Sequence, residues 1–200
     1  MNVSETATAD LSATRAWSRR VRRVGGFIQV GFAGFWLMRG STTIHGGVGV
    51  VLAAVLGLAV VVVVGYGIRS TSGLAPRPTS VEGKRIERAI TVATVVQLVA
   101  SFAAPAIVIA TGHNDWVLPS IAITIGPLLL WLDHHVVLPR YRPAGWALIA
   151  GPVVLVATMS GTPLIATTGI AAGALLLGTA TAGFHDLAMA RHTPTADRFP

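Results

Sequence analysis

Five residues near the ends of two hydrophobic stretches carry the side chains best suited to chemistry: Asp133, His134 and His135, then His185 and Asp186. Imidazole and carboxylate ligands suit zinc or iron, and a histidine titrating near neutrality can relay a proton. Should the two stretches end at one depth, the five would meet as a metal or haem centre. The spacing favours something simpler. Neighbouring residues on a helix point about 100° apart, so His134 and His135 are not the i, i+4 pair of a zinc-binding helix. Both clusters also occur where a hydrophobic segment turns polar. Capping and headgroup contacts account for them, and no cofactor is expected.

Gln29 and Gln97 are the polar groups deepest in the hydrophobic runs. A buried amide seeks a partner, and an interhelical hydrogen bond in a membrane contributes about 0.6 to 2 kcal/mol. The two read as glue between helices, or as solute contacts in a central cavity. No Asp, Glu, Lys or Arg lies near the middle of any run, whereas ion-coupled pumps usually carry such a group. His45, His113 and Asp115 form a thinner set explained by loop polarity, and Arg39 reads as a snorkelling cation. The absence of cysteine removes disulfides, thiolate metal sites and thiol nucleophiles. There is no phosphate-binding glycine loop, no His-Glu-x-x-His and no Gly-x-Ser-x-Gly. Enzymatic activity therefore has no positive support in the sequence.

The elements that must position these residues are membrane spans. With 52% hydrophobic and 12% charged residues in 200, the chain has more apolar surface than one soluble core of that length hides. Hydrophobic runs extend from Val24 to Met38, Gly47 to Ile68, Ala89 to Thr111, Trp116 to Leu132, Gly145 to Ser160 and Leu164 to Phe184. At about 1.5 Å per residue, a helix of about 20 residues crosses the roughly 30 Å hydrocarbon layer, while an open sheet leaves backbone groups unpaired in lipid. The predicted fold is all-α, with six transmembrane helices arranged as three hairpins. The first run is followed by Arg39-Gly40-Ser41 rather than a small-x-small cleavage site, so it reads as a retained helix.

All fifteen Lys and Arg residues except Arg39 fall on one side of this pattern. Cations are retained on the cytoplasmic side, facing an anionic leaflet, so both termini are expected in the cytoplasm. Arginine outnumbers the single lysine, Lys84, and the apolar residues lean to Ala, Val and Gly, a usage associated with GC-rich bacterial genomes, and the expected location is a bacterial plasma membrane. Residues 1–14 read as disordered, 15–23 as a basic amphipathic segment, 24–186 as the six-helix domain and 187–200 as a cytoplasmic tail. In the second segment Trp17 and Val21, continued by Val24 and Ile28, recur at helical spacing among Arg19, Arg20, Arg22 and Arg23, a pattern that lies in the headgroup layer and binds anionic lipid. The cations are juxtamembrane rather than gathered on one polar domain, which argues against nucleic acid as a partner.

Small residues at packing spacing, Gly169, Gly173, Ala174, Gly178 and Ala182 in the sixth run and Gly49, Ala53 and Gly57 in the second, predict close helix contacts. Pro105, Pro119, Pro127 and Pro152 each remove a backbone hydrogen bond and predict kinks. A faint match of Gln29-Val30-Gly31-Phe32 with Gln97-Leu98-Val99-Ala100 fits an internal repeat.

From Leu118-Pro119 through Gly126-Pro127-Leu128-Leu129, then Leu138-Pro139-Arg140-Tyr141 and Gly145 through Leu148, the chain resembles a pattern in small, uncharacterised bacterial multi-span membrane proteins. There a proline-bearing helix with a central glycine ends in a Pro-x-Tyr-like inner loop and re-enters the bilayer. The resemblance implies an integral membrane protein and carries over no catalytic residue; Leu129 and Leu130 stand where the pattern has a His-Phe-like pair.

These features lead to a non-enzymatic integral membrane protein, an accessory or assembly subunit whose long basic inner loop, Arg69 to Arg88, is available to cytoplasmic protein partners. Two alternatives stand beside it. One is a small-solute permease or channel with a central cavity near Gln29 and Gln97. The other is a metal- or haem-binding membrane enzyme using His134, His135 and His185.

Overall fold

The structure, a computed structural model, describes residues 17–71, 81–136, 138 and 140–192. Regular structure among them is all helical: α1 (Gly26–Thr42), entered through a π-helical turn (Val21–Gly25), α2 (Gly47–Ser70), α3 (Val81–Ala110), α4 (Val117–Val136) after a short 3-10 turn (Asn114–Trp116), α5 (Tyr141–Thr158) and α6 (Gly161–His192). Four segments are long and apolar enough to cross a membrane: Gly47–Ser70, Gly83–Ala110, Asn114–Val136 and Gly161–Ala190. The chain is thus an all-helical, membrane-embedded protein. The expected disordered segment 1–14 and the end of the tail beyond 192 lie outside the described residues.

Valine-rich α2 and α3 are poor helix formers in water, but in lipid a helix satisfies every backbone group within the segment, which overrides propensity. Threonines hide their hydroxyls by donating to the carbonyl one turn back, as Thr94 does to Ile90 at 2.8 Å and Thr181 to Leu177 at 2.8 Å. The helices also outrun the apolar stretches. α3 starts at Val81 rather than Ala89, so Lys84, Arg85 and Arg88 stand on its first turns and not in a loop. Hydropathy marks what lipid covers; Lys, Arg and Glu are good helix formers, and the helix continues through them. By the same reasoning α6 passes the expected start of the tail and ends at His192.

α6 is the centre of the bundle. α1 lies along it in the most extensive contact of the structure, and α2 packs on both; α5 joins this trio to α4, and α3 is attached chiefly to α4. Glycines set the closest approaches. A Cβ on Gly169 would stand 2.7 Å from the Cα of Gly40, and one on Gly173 would meet Leu37 at 2.6 Å. Buried Trp36, Leu148 and Leu176 fill the space between. At the other end of α6 the ring of Phe184, fully buried, is wedged between α1 and α2: a Cβ on Gly26 or Gly67 would meet it at 2.7 Å. Of the small residues predicted to mediate contacts, Gly169 and Gly173 do so; Gly57 and Gly178 have open space where a Cβ would be. Pro105, Pro127 and Pro152 lie inside helices that continue through them, and Pro119 sits in the first turn of α4, where its missing N–H has no helical acceptor to lose.

Candidate functional site

Three polar side chains from three elements converge at the end of the bundle that holds most of the cations. The Asp186 carboxylate, near the end of α6, lies 3.0 Å from Arg140, just before α5, and 3.6 Å from Arg22 in the π-helical turn. Arg140 also donates to the carbonyl of Ala182 at 3.1 Å. Beside this triad is a buried layer. Tyr141 is within hydrogen-bonding reach of Gln29, and its hydroxyl is 3.7 Å from where a Cβ on Gly25 would be. Gln29, on α1, thus lies beside the start of α5, and its Oε1 and the Nη1 of Arg23 are buried without a hydrogen-bond partner among the described residues.

The π-helical turn decides which arginines face where. Its extra residue rotates the helix out of the 3.6-residue phase, so the apolar stripe of the basic segment splits. Trp17 is buried and donates from Nε1 to the carbonyl of Gly83 at 2.9 Å, and Val21 packs on the core, whereas Val24 and Ile28 face outward. Of the four expected headgroup ligands, Arg19 is exposed, Arg20 lies 5.9 Å over the Trp17 ring, Arg22 is held by Asp186, and Arg23 is partly buried.

The histidines are distributed, not gathered. His134 and His135 meet edge to face with ring centroids 4.9 Å apart, and His135 stacks on Trp131 at 4.1 Å. Its Nδ1 is 3.1 Å from the Trp131 carbonyl, and since a carbonyl only accepts, Nδ1 carries the proton there. His185 lines a groove between α2 and α6, and Asp186 is committed to its arginines. Among the described residues no three His, Asp or Glu side chains are placed to hold a metal ion. The set Asp133, His134, His135, His185 and Asp186 is thus not assembled as one centre.

Two grooves indent the surface. The first, about 640 Å³, runs between α2 and α6 and includes Tyr66, Arg140 and His185 in its lining. The second, about 1150 Å³, runs between α3 and α4 and contains Gln97. There Gln97 donates to Ser101 at 2.8 Å and to Thr124 at 3.3 Å, and Ser101 and Thr124 are 3.2 Å apart. Gln29 and Gln97 consequently sit in different places, one sealed against α5 and one in a groove open to the surface.

On the opposite end, Asp115 accepts a hydrogen bond from the backbone N–H of Gly161 at 2.9 Å, capping the start of α6 from the α3–α4 connection. Sequence reasoning missed this role, because Ser160 directly before Gly161 is itself an N-cap residue type and nothing in the sequence points to Asp115 instead. His113 packs on Trp116, and His45 and Arg39 are exposed.

The triad links the π-helical turn that leads into α1, the start of α5 and the end of α6. Comparison with known proteins found no matching family model, no similar curated protein and no similar solved structure, so the likeness of Leu118 to Leu148 carries no family assignment.

Proposed function

We propose that the chain is a six-span protein of a bacterial plasma membrane, built as three hairpins with both termini in the cytoplasm, and that it acts without catalysis as an accessory or assembly subunit of a larger membrane complex. The orientation is supported by charge: Arg19, Arg22, Arg69, Lys84, Arg88, Arg140 and Arg142 lie at the helix ends that gather around Asp186 and Trp17, and Arg39 lies at the other. The partner role is carried by α3. Attached chiefly to α4, it leaves Val95, Leu98, Val99 and Phe102 exposed, Phe102 by 73%. Lipid covers such a face, and because hydrocarbon offers helices no hydrophobic drive, modest packing differences suffice for another transmembrane helix to replace it.

A photo-crosslinking residue at Val99 or Phe102 in native membranes tests the role: one discrete adduct with another membrane chain is expected, and lipid adducts alone would refute it. Reporter fusions at Lys84 and at the carboxyl end are expected inside, and fusions at Gly112 and Ser160 outside.

A second reading, a small-solute permease or channel, draws on the Gln97–Ser101–Thr124 trio in the α3–α4 groove. It predicts solute flux in proteoliposomes that Gln97→Leu abolishes; flux that survives this change excludes it. The metal- or haem-enzyme reading has no assembled ligand set behind it among the described residues.

A further inference from the structure

The groove between α3 and α4 is ordered from charge to hydrocarbon. Lys84 and Arg88 from the first turns of α3, with His135 from the last turn of α4, line its inner mouth; Val92, Val96 and Leu128 line the deeper stretch. Positions 84, 88, 92, 96 and 100 form one i, i+4 ridge that winds slowly round α3, and with Ala89, Ala93 and Gln97 beside it the lining passes from cations to mostly apolar side chains. Among the described residues no Asp or Glu lines the groove. Arg85 adds a further cation to the mouth, and Trp131, stacked on His135 there, is the residue type enriched at headgroup depth.

The dimensions fit one leaflet. From Arg88 to Ala100 the helix rises about 18 Å at about 1.5 Å per residue, against about 15 Å for half of a hydrocarbon layer of roughly 30 Å. The groove is open along its side, so a chain can enter from the bilayer without threading. Half way along, Pro127 deprives the Ile123 carbonyl of its helical donor, and both residues line the same groove as the Gln97 trio.

We propose that this groove is a binding site for one anionic phospholipid, its phosphate held by Lys84 and Arg88 and an acyl chain lying along Val92 and Val96. The proposal rests on the chain being membrane-embedded, and on neither its orientation nor its partner role. Lys84, Arg88 and Val92 are exposed, so substitutions there leave the folded core untouched.

The test is lipid titration of the full-length, delipidated chain in detergent, read by native mass spectrometry with phosphatidylglycerol and phosphatidylcholine of identical acyl chains. The first phosphatidylglycerol is expected to bind at least about fivefold more tightly than phosphatidylcholine. Lys84→Gln should weaken it about fivefold, and Lys84→Gln with Arg88→Gln about 25-fold, following the contribution of each cation near an anionic surface. Arg19→Gln with Arg20→Gln should leave that first affinity unchanged. Val92→Trp, which fills the groove and keeps both cations, should weaken it as well. Equal affinity for the two lipids, indifference to the Lys84 and Arg88 changes, or equal loss on removing Arg19 and Arg20 would overturn the proposal. So would full displacement by glycerol phosphate, which would assign the cations to a free phosphate. Reporter fusions that contradict the expected topology would refute the reading of orientation and leave this result standing.

Discussion

Gly126 and Gly145 face each other across α4 and α5 so closely that a Cβ on Gly126 would stand 2.6 Å from the Gly145 carbonyl oxygen, and one on Gly145 would stand 2.9 Å from the Gly126 carbonyl oxygen. The Ile149 and Leu130 side chains crowd the same two positions, but the carbonyls are backbone, which cannot rotate away as a side chain can. Gly126→Leu or Gly145→Leu is expected to cost about 1 to 3 kcal/mol of overpacking, read as a lower midpoint of unfolding in mixed micelles. Gly57→Ala, at a position with open space, should be neutral or slightly stabilising because it removes glycine's entropic disadvantage in a helix.

Phe184 is the largest side chain inserted between α1 and α2, with the Phe27 ring 5.0 Å away. Phe184→Ala should lower stability by about 3 kcal/mol or more through the cavity it leaves, and Phe184→Leu by less. A thermal unfolding series on the two variants and the native chain checks the order; equal stability of all three would show that the ring is not wedged.

Asp186 joins two arginines across three elements, but its side chain is 26% exposed and that of Arg140 is 53% exposed. Solvent screening limits such pairs to about 1 kcal/mol or less. Asp186→Asn should therefore shift the unfolding temperature by only about 2 to 4 °C, and the difference should shrink in about 1 M salt, where the Debye length falls to about 3 Å. A salt-independent loss would mean that the carboxylate acts through packing instead.

Asp115 caps α6 from a distant loop. Asp115→Ala should cost about 1 kcal/mol, as for loss of other helix caps, while Asp115→Asn, which retains a carbonyl acceptor, should recover most of it. Hydrogen exchange at the Gly161 amide is the direct readout: faster in the alanine variant, near native in the asparagine variant.

Much of the fold was legible because lipid imposes one rule on backbone and one on charge. Six apolar runs become six helices, four of them in segments long and apolar enough to cross a membrane. The ends of α3 and α6 were not legible from hydropathy, since Lys84 to Arg88 are helical without being lipid-soluble. Nor was the pairing of α1 with α6: small residues occur in several runs, and nothing in Gly40 or Gly169 alone marks the other as its partner. The site was legible as a set of residues and not as a geometry. Gln29 and Gln97 were singled out together, yet they lie against different helices, while Asp186, read as a metal ligand, is held by Arg22 and Arg140.

Because the first helix finds its main partner in the last, the protein cannot close up while it is being made. Between Thr42 and Gly161 the ribosome adds well over half the chain, which at about 5 to 20 residues per second takes about 6 to 24 s. Throughout that interval the faces of α1 at Gly40 and Gly26, which Gly169 and Phe184 later cover, have no α6 to pack against.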